Sequence, residues 1–198
     1  MLRYGLTGGI ASGKSAVAGM LREMGFRVIE ADRLAHTLTE PGQAAYEEIV
    51  REFGAGILEA GGRIDRGKLG AVVFADEEKL KRLNAIVHPR VEAEMGRQFA
   101  EWEKSGVRDA AFVEAALLVE AGYQKKLDGL VVVWCQPEQQ MERLMARGLS
   151  EKEARRRIAA QMPAEEKLRY ATERIDCSGP KSETRRQVAE LAGRLRRG

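Results

Sequence analysis

Cysteine is scarce in this 198-residue chain, which has only Cys135 and Cys177. Two thiols cannot build a disulfide framework, so the expectation is a core-stabilised protein of a reducing, cytoplasmic compartment. Long hydrophobic runs are missing too: nothing approaches the roughly 18 unbroken apolar residues of a membrane span. The opening MLRYGLTGG places glycines where a secretory leader needs its apolar stretch. Neither secretion nor a membrane partner is expected. Asparagine occurs once, at Asn84 in NAIV, which removes any N-K-x-D guanine reader and with it the GTPase switches. Aromatic residues make up 6% of the chain, against 44% hydrophobic and 32% charged residues. That balance is globular, and the length suits one compact domain with room for a small appended one.

Charge is spread unevenly. Residues 1–140 carry 18 basic and 21 acidic groups, whereas residues 141–198 carry 15 and 9. The basic excess gathers between Arg143 and Gln161, where it reads either as a solvated helical face or as contact with a local anion. No aromatic residues interleave with it, so no nucleic-acid partner is expected.

Apolar segments at Leu2–Leu6, Phe26–Ala31, Ala110–Glu114 and Leu130–Trp134 read as strands, with Arg174–Cys177 as a weaker fifth. Val17, Met20, Leu21 and Met24 form a helical stripe that Gly25 ends. Pro137 suits the first residue of a helix, and Ser150 with Glu153 spells a capping box before Arg155, Arg156 and Arg157. Val188, Leu191 and Leu195 stripe a last helix. The fold class is therefore α/β with a mainly parallel sheet flanked by helices. Between the second and third strands, about seventy residues carry helical spacing, including Tyr46, Ile49, Val50 and Phe53, which predicts a helical subdomain rather than one crossover helix.

Gly8-Gly9-Ile10-Ala11-Ser12-Gly13-Lys14-Ser15 matches G-x-x-x-x-G-K-[ST] directly after a strand and at the opening of a helix. Glycines let successive N–H groups turn inward around a phosphate, and the helix N-terminus adds its positive end. Lys14 suits the β- and γ-phosphates and Ser15 suits Mg²⁺, so ATP or GTP is expected. The best apolar strand, LVVVWCQ, ends without the aspartate usual in a mechanical ATPase, which leaves the small-molecule kinases. Asp32, just past the FRVIEA strand, reads equally as a base for an acceptor hydroxyl or as a helix N-cap. Glu114, ending AAFVE, reads as a Mg²⁺ partner, direct or through water, or as a structural ion pair.

The motif series resembles the dephospho-coenzyme A kinase family along nearly the whole chain. It consists of GLTGGIASGKS (Gly5–Ser15), VIEADRLA (Val28–Ala35), PGQAAYEEIVREFG (Pro41–Gly54), IDRGKLGAVVF (Ile64–Phe74) and LNAIVHPRV (Leu83–Val91). The resemblance implies a P-loop NTPase-like core of five parallel strands at 1–36 and 107–198, a lid at about 145–170, and a helical acceptor-binding insertion at 37–106. It implies ATP-dependent phosphorylation of the ribose 3′-hydroxyl of dephospho-CoA, giving coenzyme A and ADP, with Mg²⁺. The alternatives are another small-metabolite or nucleoside kinase, or a nucleotide-binding regulatory module without turnover. Asp32, Lys14 and Arg143 are implied as catalytic; Gly8, Gly9, Ala11, Ser12, Gly13, Ser15, Ala16, Arg143 and Arg147 as further nucleotide contacts. Arg66, His88 and Leu117 join Asp32 on the acceptor side, and Ser15 and Glu114 on the metal. His88 also reads as a packed or capping residue at a helix start. Arg157 and Gln161 resemble the family's R-I-x-x-Q. The chain is expected to act as a monomer, weak self-association aside.

Several residues depart from the family pattern. Ala11 stands where glycine is usual, and a negative φ there would tolerate it. Ala16 replaces a common threonine, Ala116 a proline, and Thr172 and Cys177 the typical Asp and Asn.

Overall fold

A computed structural model describes residues 1–196 of the protein; Arg197 and Gly198, the end of the expected core, lie outside the described residues. Five strands are formed: β1 (Arg3–Gly8), β2 (Arg27–Glu30), β3 (Ala111–Glu114), β4 (Gly129–Trp134) and β5 (Glu173–Asp176). They build one sheet in the order β2-β3-β1-β4-β5, with every neighbouring pair parallel. The helices are α1 (Lys14–Glu23), α2 (Ala31–Leu38), α3 (Ala44–Phe53), α4 (Arg66–Val73), α5 (Glu77–Lys104), α6 (Pro137–Met145), α7 (Glu151–Ala159), α8 (Ala164–Lys167) and α9 (Lys181–Leu195). All five strands lie within two residues of their expected ends. The continuous apolar runs have the reason proposed for them: β3 is buried throughout and β4 nearly so.

The described chain divides into two compact units, residues 1–30 with 105–198, and residues 31–104. In the first, α1 and α9 bring Val17, Leu21, Val188 and Leu191 onto Leu6, Phe112 and Val131. Gly25 takes φ 91° just beyond the α1 cap, a conformation open to glycine. Pro137 is the first residue of α6, and Ser150 and Glu153 complete the capping box of α7. The register sets the site: Leu6 pairs with Glu114 and Gly8 with Val133, so the exits of β1, β3 and β4 lie side by side.

The second unit packs Ile49, Ile57 and Ile86 from α3, a short turn after it and α5. Asp65 caps α4 by accepting from the amides of Gly67 and Lys68 at 2.8 and 3.0 Å. One expectation is corrected here. His88 and Pro89 do not open a helix; they lie in the middle of the 28-residue α5. Proline deletes one backbone donor, yet burial of Ile86, Val91, Met95 and Phe99 carries the helix through it. Arg90 helps locally, donating from Nη1 to the Ile86 carbonyl at 2.6 Å and pairing with Glu48 of α3.

Candidate active site

The loop between β1 and α1 is built around glycines at close approaches, the tightest of them backbone to backbone at Gly8. A Cβ on Gly8 would lie 2.3 Å from the Val133 carbonyl oxygen, and one on Gly9 would lie 2.7 Å from Gln140 Nε2. Gly13 takes φ 108°, and a Cβ there would lie 2.9 Å from Cys177 Sγ. Ala11 corrects a second expectation: its φ is 60°, not negative. The loop must reverse at this position, and the left-handed conformation is imposed on alanine although it costs ~1–2 kcal/mol relative to glycine. Ser12 Oγ is buried with no hydrogen-bond partner in this cradle. An orphaned hydroxyl beside a helix N-terminus fits a loop that receives phosphate oxygens.

Sheet register brings Glu114 to this loop. Its Oε1 accepts from Lys14 Nζ at 2.8 Å and from Ser15 Oγ at 3.3 Å. The ion pair is largely desolvated, with the two side chains 13% and 8% exposed. A hydroxyl and a carboxylate on one point form a hard-oxygen donor set, which fits Mg²⁺. Ala16 follows in the first turn of α1 and brings no hydroxyl of its own.

The two arginines implied for the nucleotide occupy different settings. Arg143, on α6, donates to the carbonyls of Ala11 at 3.1 Å and Cys177 at 2.7 Å, so it ties the loop to the end of β5. Arg147 is exposed just past α6, as is Arg157 on α7. Gln161, after α7, accepts the Ile10 amide N–H at 2.7 Å, while Gln140 of α6 donates to the Ile10 carbonyl at 2.8 Å. Gln140 carried no signal in the sequence, because a glutamine in a polar helix looks solvated. Thr172 binds both backbone groups of Leu130 through its hydroxyl, a structural bridge onto β4. Burial pushes the Cys135 and Cys177 thiols up. Leu117, in the loop after β3, is 48% exposed.

Within the helical unit, Asp32 sits in the first turn of α2, which begins at Ala31. The N-cap reading is thereby corrected: an acidic group one residue inside the helix favours its positive end without capping it. His36, one turn further on, was not singled out by the sequence. Burial lowers its pKa, the adjacent Arg66 lowers it further, and Asp32 and Glu40 oppose them. A cavity of about 770 Å³ opens in this unit, lined by His36, Arg63, Arg66, Phe74 and Leu83 among others. Its apolar walls carry a rim of mixed charge, with Arg63 and Arg66 beside Glu40, Glu59 and Asp65, and Arg63 is paired with Glu40, so the cavity suits an acceptor with an aliphatic part. His88 is exposed on α5 and does not line it. Among the described residues, no group of three or more His, Cys, Asp or Glu side chains is gathered to hold a metal ion, and no helix is long and apolar enough to cross a membrane.

A parallel sheet whose central strand runs into this loop, with a lysine, a hydroxyl and a carboxylate at its exit and no guanine reader, defines the P-loop kinase class. Comparison with known proteins narrows the class. The family profile for dephospho-CoA kinase matches residues 2–183. A dephospho-CoA kinase of Geobacillus kaustophilus is 47% identical over 96% of this chain and 94% of its own length. That of Aquifex aeolicus is 46% identical over 100% and 99%. A crystal structure from Thermus thermophilus superposes with a TM-score of 0.82 at 37% identity, covering 98% and 97%. Dephospho-CoA kinase from Campylobacter jejuni gives 0.73 at 29%, covering 99% and 98%. The chain belongs to the dephospho-CoA kinase family.

Proposed function

We propose that this chain carries out the family's reaction, ATP-dependent phosphorylation of the 3′-hydroxyl of dephospho-CoA in the final step of coenzyme A synthesis, through the following residues. The backbone of Gly8, Gly9, Ala11, Ser12, Gly13 and Ala16 binds the phosphates of ATP. Lys14 leaves Glu114 for the β- and γ-phosphate oxygens, where its charge offsets the negative charge of transfer. Ser15 and Glu114 would hold Mg²⁺, which would supply charge neutralisation at the phosphates. Arg143 orients the loop that meets the donor, and Arg147 adds positive charge from beside it. Asp32 accepts the hydrogen bond of the 3′-hydroxyl and takes its proton. Arg66 meets an acceptor phosphate, with His88 and Leu117 on the acceptor side. The insertion at 37–106 is the acceptor domain, and the stretch at about 145–170 is a lid that keeps water from the phosphoryl group. The working form is a cytoplasmic monomer, weak self-association aside, with no nucleic-acid or membrane partner.

The Lys14–Glu114–Ser15 cluster carries this reading. The test is Mg²⁺-dependent ADP release with dephospho-CoA set against nucleosides, nucleotides and sugar acids. Release specific to dephospho-CoA, with coenzyme A as product, is expected. Release with another acceptor would keep the kinase and replace its substrate. ATP binding with no stimulating acceptor would make the protein a regulatory module.

A further inference from the structure

Lys167 is the least expected side chain in the protein. It ends the four-residue α8, in the charged stretch AEEKLRY, yet it has no solvent exposure at all. Burying an ammonium is costly unless each donor finds an acceptor. Here Nζ donates to the Ala116 carbonyl at 2.6 Å and pairs with Glu120 Oε1 at 2.9 Å. Both acceptors lie on the loop that follows β3.

Two more bonds close the network. Glu120 Oε1 also accepts the Met162 amide N–H at 3.1 Å, which ties the segment after α7 to the same loop. Thr7 Oγ1, next to the last residue of β1, donates to the Ala116 carbonyl at 3.2 Å. Ala116 stands two residues past Glu114, and its carbonyl is held from both sides, by Thr7 and by Lys167. The path of the chain leaving β3 decides where the Glu114 carboxylate lies against Lys14 and Ser15. A neutral side chain of the same volume would fill the space but could not grip a carbonyl and a carboxylate together.

We infer that Lys167 is a positioning residue for the kinase reaction: its buried ammonium, through Ala116 and Glu120, holds the β3 exit so that Glu114 meets Lys14 and Ser15 in the geometry the metal needs. The same grip joins that exit to the segment carrying Gln161, which holds Ile10 of the phosphate loop. The Glu114 end of the site is thus set by one internal cation, while Ile10 keeps its own bonds to Gln161 and Gln140. The inference rests on the proposed metal role of Glu114.

The test uses Lys167→Met and the double variant with Glu120→Gln. The double variant leaves neither charge unpaired and keeps a carbonyl oxygen for the Met162 amide. Affinity for ADP is measured by calorimetry with Mg²⁺ and with chelator, so that no turnover is needed. Hydrogen exchange of the ligand-free protein reports on the loop. Metal-free affinity should match wild type, while the tightening caused by Mg²⁺ should fall by about 10-fold, the lower end of losses at groups that support metal ligands. Exchange should quicken at Met162, whose amide donates to Glu120, and at Ala121, whose amide donates to the Leu117 carbonyl in the same loop. Quickened exchange with the full Mg²⁺ effect intact would overturn the inference and leave Lys167 a loop brace. Glu114→Gln separates the premise. If that variant also keeps the full effect, the metal reading of Glu114 fails first; if it loses the effect and the Lys167 variants do not, only the positioning role fails.

Discussion

Gln161 accepts the amide N–H of Ile10 at 2.7 Å across 151 residues of sequence. Gln140 takes the other side of the same residue through the Ile10 carbonyl, so the phosphate loop is clamped before any nucleotide reaches it. In most turns such backbone groups face water. Here two amide side chains satisfy them, one from α6 and one from the segment after α7, and the loop shape depends on where those elements sit.

Gln161→Leu should therefore act on the nucleotide more than on the chemistry. An N–H left without its acceptor costs about 1–3 kcal/mol. With that cost falling on the loop, KM for ATP should rise ~10-fold while kcat changes by no more than about threefold. Steady-state kinetics with ATP varied gives the answer. A fall in kcat with KM unchanged would place Gln161 in the transfer step instead.

Arg143→Ala should cost stability as well as rate. Its guanidinium satisfies two carbonyls, of Ala11 and Cys177, and hydrogen bonds from charged donors contribute about 1.5–3 kcal/mol each. Urea unfolding should show a loss of about 3–6 kcal/mol if both bonds contribute in full. Arg143→Lys should recover only part of it, because an ammonium lacks the planar fork that reaches both oxygens. Unchanged stability with lost activity would mean that Arg143 serves the nucleotide alone.

Ala11→Gly should be neutral to stabilising. At φ 60° alanine forfeits ~1–2 kcal/mol relative to glycine, and glycine's looser unfolded chain returns roughly 0.5–1 kcal/mol of that. A net gain of about 0.5 kcal/mol is expected from denaturant midpoints, with kinetics close to wild type. A clear loss of stability would show that the Ala11 methyl makes contacts worth more than its strain.

Asp32→Asn and Lys14→Ala should fail in different ways. The first should keep ATP affinity and lose ~10²-fold or more in transfer, the scale of a missing general base. The second should weaken both, since the ammonium serves ground state and transition state alike. Nucleotide affinity from calorimetry beside single-turnover rates separates the two patterns. Near-normal turnover in Asp32→Asn would leave Asp32 with only its favourable place in the first turn of α2.

His36 should make the protein less stable in acid. Burial lowers its pKa most, Arg66 lowers it further, and Asp32 and Glu40 oppose them without reversing the direction. The folded state then binds this proton less readily than the unfolded chain. Its contribution is complete above the unfolded value of about 6.5 and is lost as pH falls through the lower folded value. His36→Gln should flatten that acid loss, seen as a smaller shift of the urea midpoint between neutral pH and about pH 5. Equal shifts in both proteins would remove His36 as the responsible group.

Much of this was legible locally. Strands announced themselves as short apolar runs, Pro137 and the Ser150–Glu153 pair marked helix starts, and GGIASGKS named the phosphate loop. Where reading failed, a local rule met a tertiary demand. His88 read, in one alternative, as a packed or capping residue at a helix start, but four buried side chains along α5 hold the helix through this point and past Pro89. A negative φ for Ala11 was the comfortable choice for a residue with a Cβ, and the loop required the opposite sign.

The amino-acid sequence by itself determined the class of fold, the order of its elements and the residues able to hold a phosphate, because periodicity, capping and glycine act over a few neighbouring positions. Only the tertiary structure decided which of those residues work together. Lys14 meets Glu114 across 100 residues because parallel register sets β1 against β3. Lys167 loses its water because α8 folds over the β3 exit. Contacts of this kind follow from packing between segments remote in the chain, and no local spacing encodes them.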